Sequence, residues 1–155
     1  GIDSVRPALD VYYGYEPGKE VIMVGGGLVG CETALHLAKT GHKVTIVEML
    51  DRLADDSYGM YREALMLEME KEDIVGLTRA RCIEITPNSV RIEVDGVEKQ
   101  LTGDTVIYAL GMKSVDTSAL KAAAGDIPYY VIGDCDQPGK VETATKSGYD
   151  VALKI

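Results

Sequence analysis

Two hydrophobic periods divide the chain. VIMV at 21–24 is continuously apolar, as a parallel strand covered on both faces must be. Apolar residues then fall at Leu28, Cys31, Ala34, Leu35 and Ala38, one face of a helix over 28–40, and Gly41 stands where a helix-terminating glycine belongs. KVTIV at 43–47 is a second buried strand, giving a unit the size of a strand–helix–strand crossover. A second helix is predicted over 58–71, with Tyr61, Ala64, Leu65 and Met69 on one side, and a weaker strand over 73–77.

The period then drops to two. RCIEIT, SVRIEV and VEKQLT alternate apolar and polar, and the turns between them are Pro87-Asn88 and Asp95-Gly96. This predicts a three-stranded antiparallel meander that interrupts the parallel sheet and covers one of its faces. TVIYALG at 105–111 returns to a buried strand, Asp116 or Thr117 caps a short helix through Ala124, and a last helix spans 141–155. YYVIGD at 129–134 reads as a final strand. Its apolar residues are expected to pair beside TVIYAL as a fifth parallel strand, because such a strand does not stay exposed. Residues 1–19, punctuated by Pro7, Gly14, Pro17 and Gly18, have no period and read as a linker or an arm laid on the chain's own surface.

Composition narrows the function classes. The chain has 155 residues and a net charge of −9, which argues against nucleic acid as a partner, since phosphate neutralisation needs clustered Lys and Arg. A nucleotide ligand stays open, because a helix N-terminus holds pyrophosphate without basic side chains. Cys31, Cys82 and Cys135 form no C-x-x-C pair, so neither a disulfide framework nor a metal site is expected. With no signal peptide and no apolar run near the length of a membrane span, a cytoplasmic chain with no membrane contact is expected. The first residue is Gly1, which reads as a piece excised from a longer protein.

The chemistry concentrates at Gly25-x-Gly27-x-x-Gly30, which follows a strand and opens an amphipathic helix, the context the dinucleotide fingerprint requires. Gly25 permits the tight turn, Gly27 lets pyrophosphate approach the backbone, and Gly30 lets helix and strand pack closely. The amides near Leu28 and Val29 point at the phosphates. Glu48, with Met49 beside it, ends the second strand eighteen residues after Gly30, where an acid accepts from the ribose hydroxyls and repels a 2′-phosphate. NAD(H) is therefore favoured over NADP. Arg52 is the nearby counterweight, and its expected place is in solvent or against Asp51. The fold class is α/β, a Rossmann-like doubly wound parallel sheet with an antiparallel three-stranded β-meander.

The stretch 18–49 resembles the pyridine-nucleotide domain of two-dinucleotide flavoproteins. More narrowly, the chain from Lys19 onward is similar to the C-terminal region of NADH:flavin oxidoreductases with an old-yellow-enzyme barrel, the 2,4-dienoyl-CoA reductase, enoate reductase and trimethylamine dehydrogenase group. TVIYALG matches the family's strand ending in Ala-x-Gly, which implies that Ala109, Leu110 and Gly111 bring backbone against the dinucleotide. YYVIGDC matches the Gly-Asp strand, which implies that Gly133 and Asp134 touch FAD, with the helix N-terminus near Thr143 facing the flavin. The resemblance divides the chain into a linker (1–19), an NAD domain (20–112, meander at about 80–103) and the last segment of an FAD domain (113–155). FAD would belong to the full-length protein, with FMN and a 4Fe–4S cluster elsewhere in it; the partners are the dinucleotide and the remaining domains.

This chain departs from the pattern in having no second G-x-G-x-x-G, no barrel and no cysteine cluster, so Asp134 is read as half of a flavin site. Hydride transfer between nicotinamide and flavin requires proximity and orientation rather than a protein acid or base. His36 and His42 read as solvated, Cys31 as packing, and no catalytic residue is expected. The expected function is an NAD(H)-binding module, inactive alone, that positions NADH for hydride transfer to FAD. Two alternatives are an FAD-binding fragment and a free-standing dinucleotide-binding or redox-sensing module.

Overall fold

The computed structural model describes all 155 residues. It divides into two compact units, Gly1–Leu110 and Gly111–Ile155.

The first unit is built on a five-stranded parallel sheet. Its strands are β1 (Arg6–Pro7), β2 (Glu20–Val24), β3 (Lys43–Val47), β4 (Val75–Leu77) and β8 (Thr105–Tyr108), in the order β1-β8-β2-β3-β4. Helix α1 (Leu9–Tyr12) follows β1, α2 (Leu28–Lys39) joins β2 to β3, and α3 (Gly59–Lys71) joins β3 to β4. The antiparallel meander β5 (Ala80–Thr86), β6 (Ser89–Val94) and β7 (Val97–Thr102) forms a second sheet.

The continuous apolar runs are explained by two covered faces. Val21 and Met23 of β2, with Val44 and Ile46 of β3, pack against Cys31, Ala34 and Leu37 of α2 and Leu65 and Met69 of α3. The alternate residues Ile22, Val24 and Val47 face the meander, against Ala80, Val90 and Ile92. Helices thus cover one face of the sheet and the meander the other. Tyr61 and Ala64 of α3 stay outside this core; the Tyr61 hydroxyl donates to Glu32 Oε1 at 2.6 Å.

Two expectations change. Residues 1–19 are not a featureless arm: Ala8 and Val11 are buried in the helix-side core, and Arg6–Pro7 pairs in parallel with Ile107 and Tyr108 of β8. Residues 129–132 form no strand and are not the fifth member of the sheet. The reason is that β8 has a partner on each side, β2 on one and β1 on the other, so no ladder is left to join. The segment instead runs into a short 3₁₀ turn, Gly133–Cys135, whose Gly133 amide donates to Ser147 Oγ of α5 (Val141–Ala152) at 2.9 Å.

The second unit also holds α4 (Ser118–Ala124), entered through Asp116 Oδ1, which accepts from the Ser118 amide at 2.9 Å. None of residues 111–155 is buried. No helix of the chain is long and apolar enough to cross a membrane.

Candidate functional site

The turn from β2 to α2 is where side chains are excluded, and the four glycines differ in why. Gly25 has φ +105°, and a Cβ there would lie 2.4 Å from the Ala109 carbonyl oxygen, a backbone atom that cannot move aside. A Cβ on Gly30 would meet the Gly25 carbonyl oxygen at 2.0 Å, and one on Gly26 would meet Leu53 and Glu48 at 2.6 and 2.8 Å. Gly27 is different. Its φ is −67°, and the nearest atom to an added Cβ is Asp56 Oδ1 at 3.5 Å, an ordinary contact. The chain's own packing gives no reason for glycine at 27.

Two carboxylates organise this turn. Glu48 is 8% exposed; its Oε2 accepts from the Gly26 amide at 2.7 Å and its Oε1 from the Leu50 amide at 2.8 Å. Asp56 Oδ1 accepts from the Leu28 amide at 2.8 Å, at the first residue of α2. The loop that carries Asp56 is tied down just before it. The Ala54 amide donates to the Gly26 carbonyl at 2.7 Å, and Arg62 Nε donates to the Leu53 carbonyl at 2.8 Å.

A cavity of about 670 Å³ opens beside the turn. It lies at the carboxyl ends of β2, β3 and β8, where the strand order reverses: β2 leads through α2 to β3 on one side, while β8 on its other side is entered from the meander, the usual ligand crevice of open α/β sheets. Gly25, Glu48 and Met49 line it from one side, Ala109 and Leu110 from another, and residues 80–85 of β5 close it. β5 carries a bulge within this wall: the pairing with β6 jumps between Cys82 and Glu84, leaving Ile83 as the extra residue.

Gly25, Glu48, Met49, Ala109 and Leu110 are thus brought together. Gly27, Leu28, Val29 and Gly30 stand at the start of α2 and do not line the cavity. Gly111, with φ +82°, opens the second unit. Gly133 and Asp134 lie in that unit, beside a recess of about 220 Å³ that Gly133, Pro138, Gly139, Thr143 and Ser147 line. Asp134 Oδ1 accepts from the Gly139 amide at 3.2 Å.

The contribution of β5 and the Asp56 contact are absent from the sequence reading. An alternating strand announces a covered face but not its rim, and Asp56 lies 28 residues from Leu28 with no local period linking them.

The other titratable candidates lie apart from this crevice or serve packing. His36 stacks on Tyr12 at 5.5 Å, and His42 Nδ1 sits 2.9 Å from the Gly18 carbonyl oxygen. The Cys31 thiol is fully buried and donates to the Gly26 carbonyl at 3.3 Å; burial pushes its pKa up to about 12. Cys82 lines the cavity with its pKa raised by burial. No group of three or more His, Cys, Asp or Glu side chains is placed to hold a metal ion.

A parallel sheet with a bare glycine turn, an acid at the next strand end and an antiparallel cover defines a flavin- or nucleotide-binding module of oxidoreductases. Residues 3–129 match the pyridine nucleotide-disulphide oxidoreductase family, and the chain belongs to that family. It is 37% identical to an NADH oxidase of Thermoanaerobacter brockii over 97% of its own length and 24% of the relative's. It is 33% identical to a bilirubin reductase of Mediterraneibacter gnavus, over 86% of the chain and 21% of that protein. The chain therefore spans about a quarter of the length of the curated relatives it matches. Among solved structures, a 2-naphthoyl-CoA reductase superposes with a TM-score of 0.82 at 27% identity, covering 99% of this chain and 24% of that one.

Proposed function

We propose that this chain is the NAD(H)-binding module of a larger flavin-dependent oxidoreductase, where it positions NADH for hydride transfer to FAD. The observation that carries the reading is Gly27. Its neighbours in the turn are glycine because the chain's own atoms crowd them; Gly27 is uncrowded and in an ordinary conformation, so its bareness is accounted for by a ligand that must come close. The Gly27 cradle fits a pyrophosphate, and the cavity beside it has the size of a nucleotide pocket. When bound, NADH supplies the hydride. The chain supplies backbone amides at the start of α2, the Glu48 carboxylate toward the ribose, and the apolar wall of β5. Ala109 and Leu110 form the rim on the β8 side.

Selectivity for NADH over NADPH rests on charge. Glu48 faces the cavity as an acid, Arg52 is paired with Asp55 at 3.3 Å, and Arg81 with Glu93 at 2.9 Å. The named activity of the NADH oxidase relative supports the same reductant.

In this proposal residues 20–112 are the NAD domain and residues 113–155 the last segment of an FAD domain. Gly133 and Asp134 then form half a flavin site. Taken alone they do not fit a flavin, because nothing around their recess is buried. The remaining domains of the full-length protein would complete that site and carry electrons through a 4Fe–4S cluster and FMN to the substrate.

Calorimetric titration with NADH, NADPH and FAD in parallel tests the reading. NADH should bind most tightly, and Gly27→Val should abolish that binding without lowering the melting temperature by more than a few degrees. Binding of FAD alone, or equal NADH binding by Gly27→Val, overturns it.

A further inference from the structure

The space that Gly27 leaves open is not empty of charge. The three atoms nearest to a Cβ built on Gly27 all belong to the Asp56 carboxylate, at 3.5 to 3.9 Å, and the same group accepts from the Leu28 amide at 2.8 Å. Glu48 meanwhile accepts from the Gly26 amide. Two amides of the phosphate-binding turn are therefore answered by the protein's own carboxylates.

We propose that Asp56 is an affinity-setting residue of the dinucleotide site: an internal anion at the phosphate position that must surrender the Leu28 amide when a pyrophosphate enters. The inference rests on the NAD(H) reading given above. Its physical basis is competition. An amide at a helix N-terminus favours one negative group, and a second one brought within a few ångströms is repelled by the first. Asp56 is exposed and sits on a loop whose preceding residues are tied independently of its carboxylate, Ala54 to the turn and Leu53 to Arg62. The empty turn is kept capped, and the ligand is held less tightly than an uncapped turn would hold it.

The test compares the full chain with Asp56→Asn, which keeps an acceptor for Leu28 and removes the charge. NADH and ADP-ribose should bind about tenfold more tightly to the variant at low ionic strength, and the gain should shrink in 0.3 M salt, since exposed charges are screened over roughly 10 Å or less there. Adenosine, which has no phosphate, should bind both proteins equally. Equal or weaker NADH binding by the variant overturns the inference and leaves the NAD(H) reading intact. A gain for adenosine as large as that for NADH also overturns it. If NADH binds neither protein, the NAD(H) reading fails and takes the inference with it. A measurement on the unaltered chain guards against a misfolded variant: the ¹³C resonance of the Asp56 carboxylate should shift with NADH and stay still with adenosine. No shift with NADH overturns the inference.

Discussion

Single residues in the turn have separable roles. Gly25→Ala forces a Cβ against the Ala109 carbonyl at a φ of +105°, so it should unfold the first unit or melt it well below the parent. Gly27→Ala meets only an ordinary contact and should cost no more than about 1 kcal/mol while weakening NADH. Thermal melts beside titrations separate the two; equal destabilisation would refute the distinction. Glu48→Gln should destabilise by about 1–3 kcal/mol, because a carboxamide presents one acceptor to two backbone donors. Differential scanning calorimetry measures that loss. The thiols should label in the order Cys135, Cys82, Cys31. Cys31 should react only on unfolding, because burial raises its pKa to about 12 and keeps it protonated well above neutral pH. The glycine turn and the acid at the next strand end were legible in the sequence, where the motif spacing singled out Gly25, Gly27, Gly30 and Glu48. That Glu48 also braces the loop was not, since a buried hydrogen bond to Gly26 leaves no trace in a pattern of residue types.

Elements were legible where both faces of a strand are buried, or where the period is a clean two. The runs at β2, β3 and β8 and the three meander strands were expected close to where they lie. β1 was hidden because two residues carry no period and Pro7 lacks an amide; it serves at an edge, where that amide is not required. The opposite error at 129–132 has a matching cause. A run of apolar and aromatic residues becomes a strand only if a ladder has room, and β8 had none. In β5, Ala80, Cys82 and Ile85 face the meander-side core, so the spacing slips from two to three at Ile83, which packs in neither core. Deleting Ile83 should restore continuous register with β6 while keeping every core contact. The melting temperature should change by less than a few degrees, and NADH affinity should fall with the lost cavity wall. A collapse of the fold would mean that the bulge is structural.

At the scale of the whole molecule, cores and motifs are unevenly shared. Both hydrophobic clusters belong to Gly1–Leu110, and Gly111–Ile155 contributes nothing to either. Native-state hydrogen exchange should therefore show strong protection in β2, β3 and β8 and little across residues 111–155. Strong protection in α5 would contradict the burial pattern. The apolar residues Ile127, Val141, Tyr149 and Leu153 of that segment are exposed.

The short strand at Arg6–Pro7 has one more effect. A sheet polymerises through any border that still offers unpaired amides and carbonyls, and β8 would be such a border. β1 seals it, and the Ala8 amide extends the seal by donating to the Tyr108 carbonyl. A chain trimmed of its first eight residues should turn cloudy at concentrations where the intact one stays clear, which makes these residues a guard on colloidal behaviour.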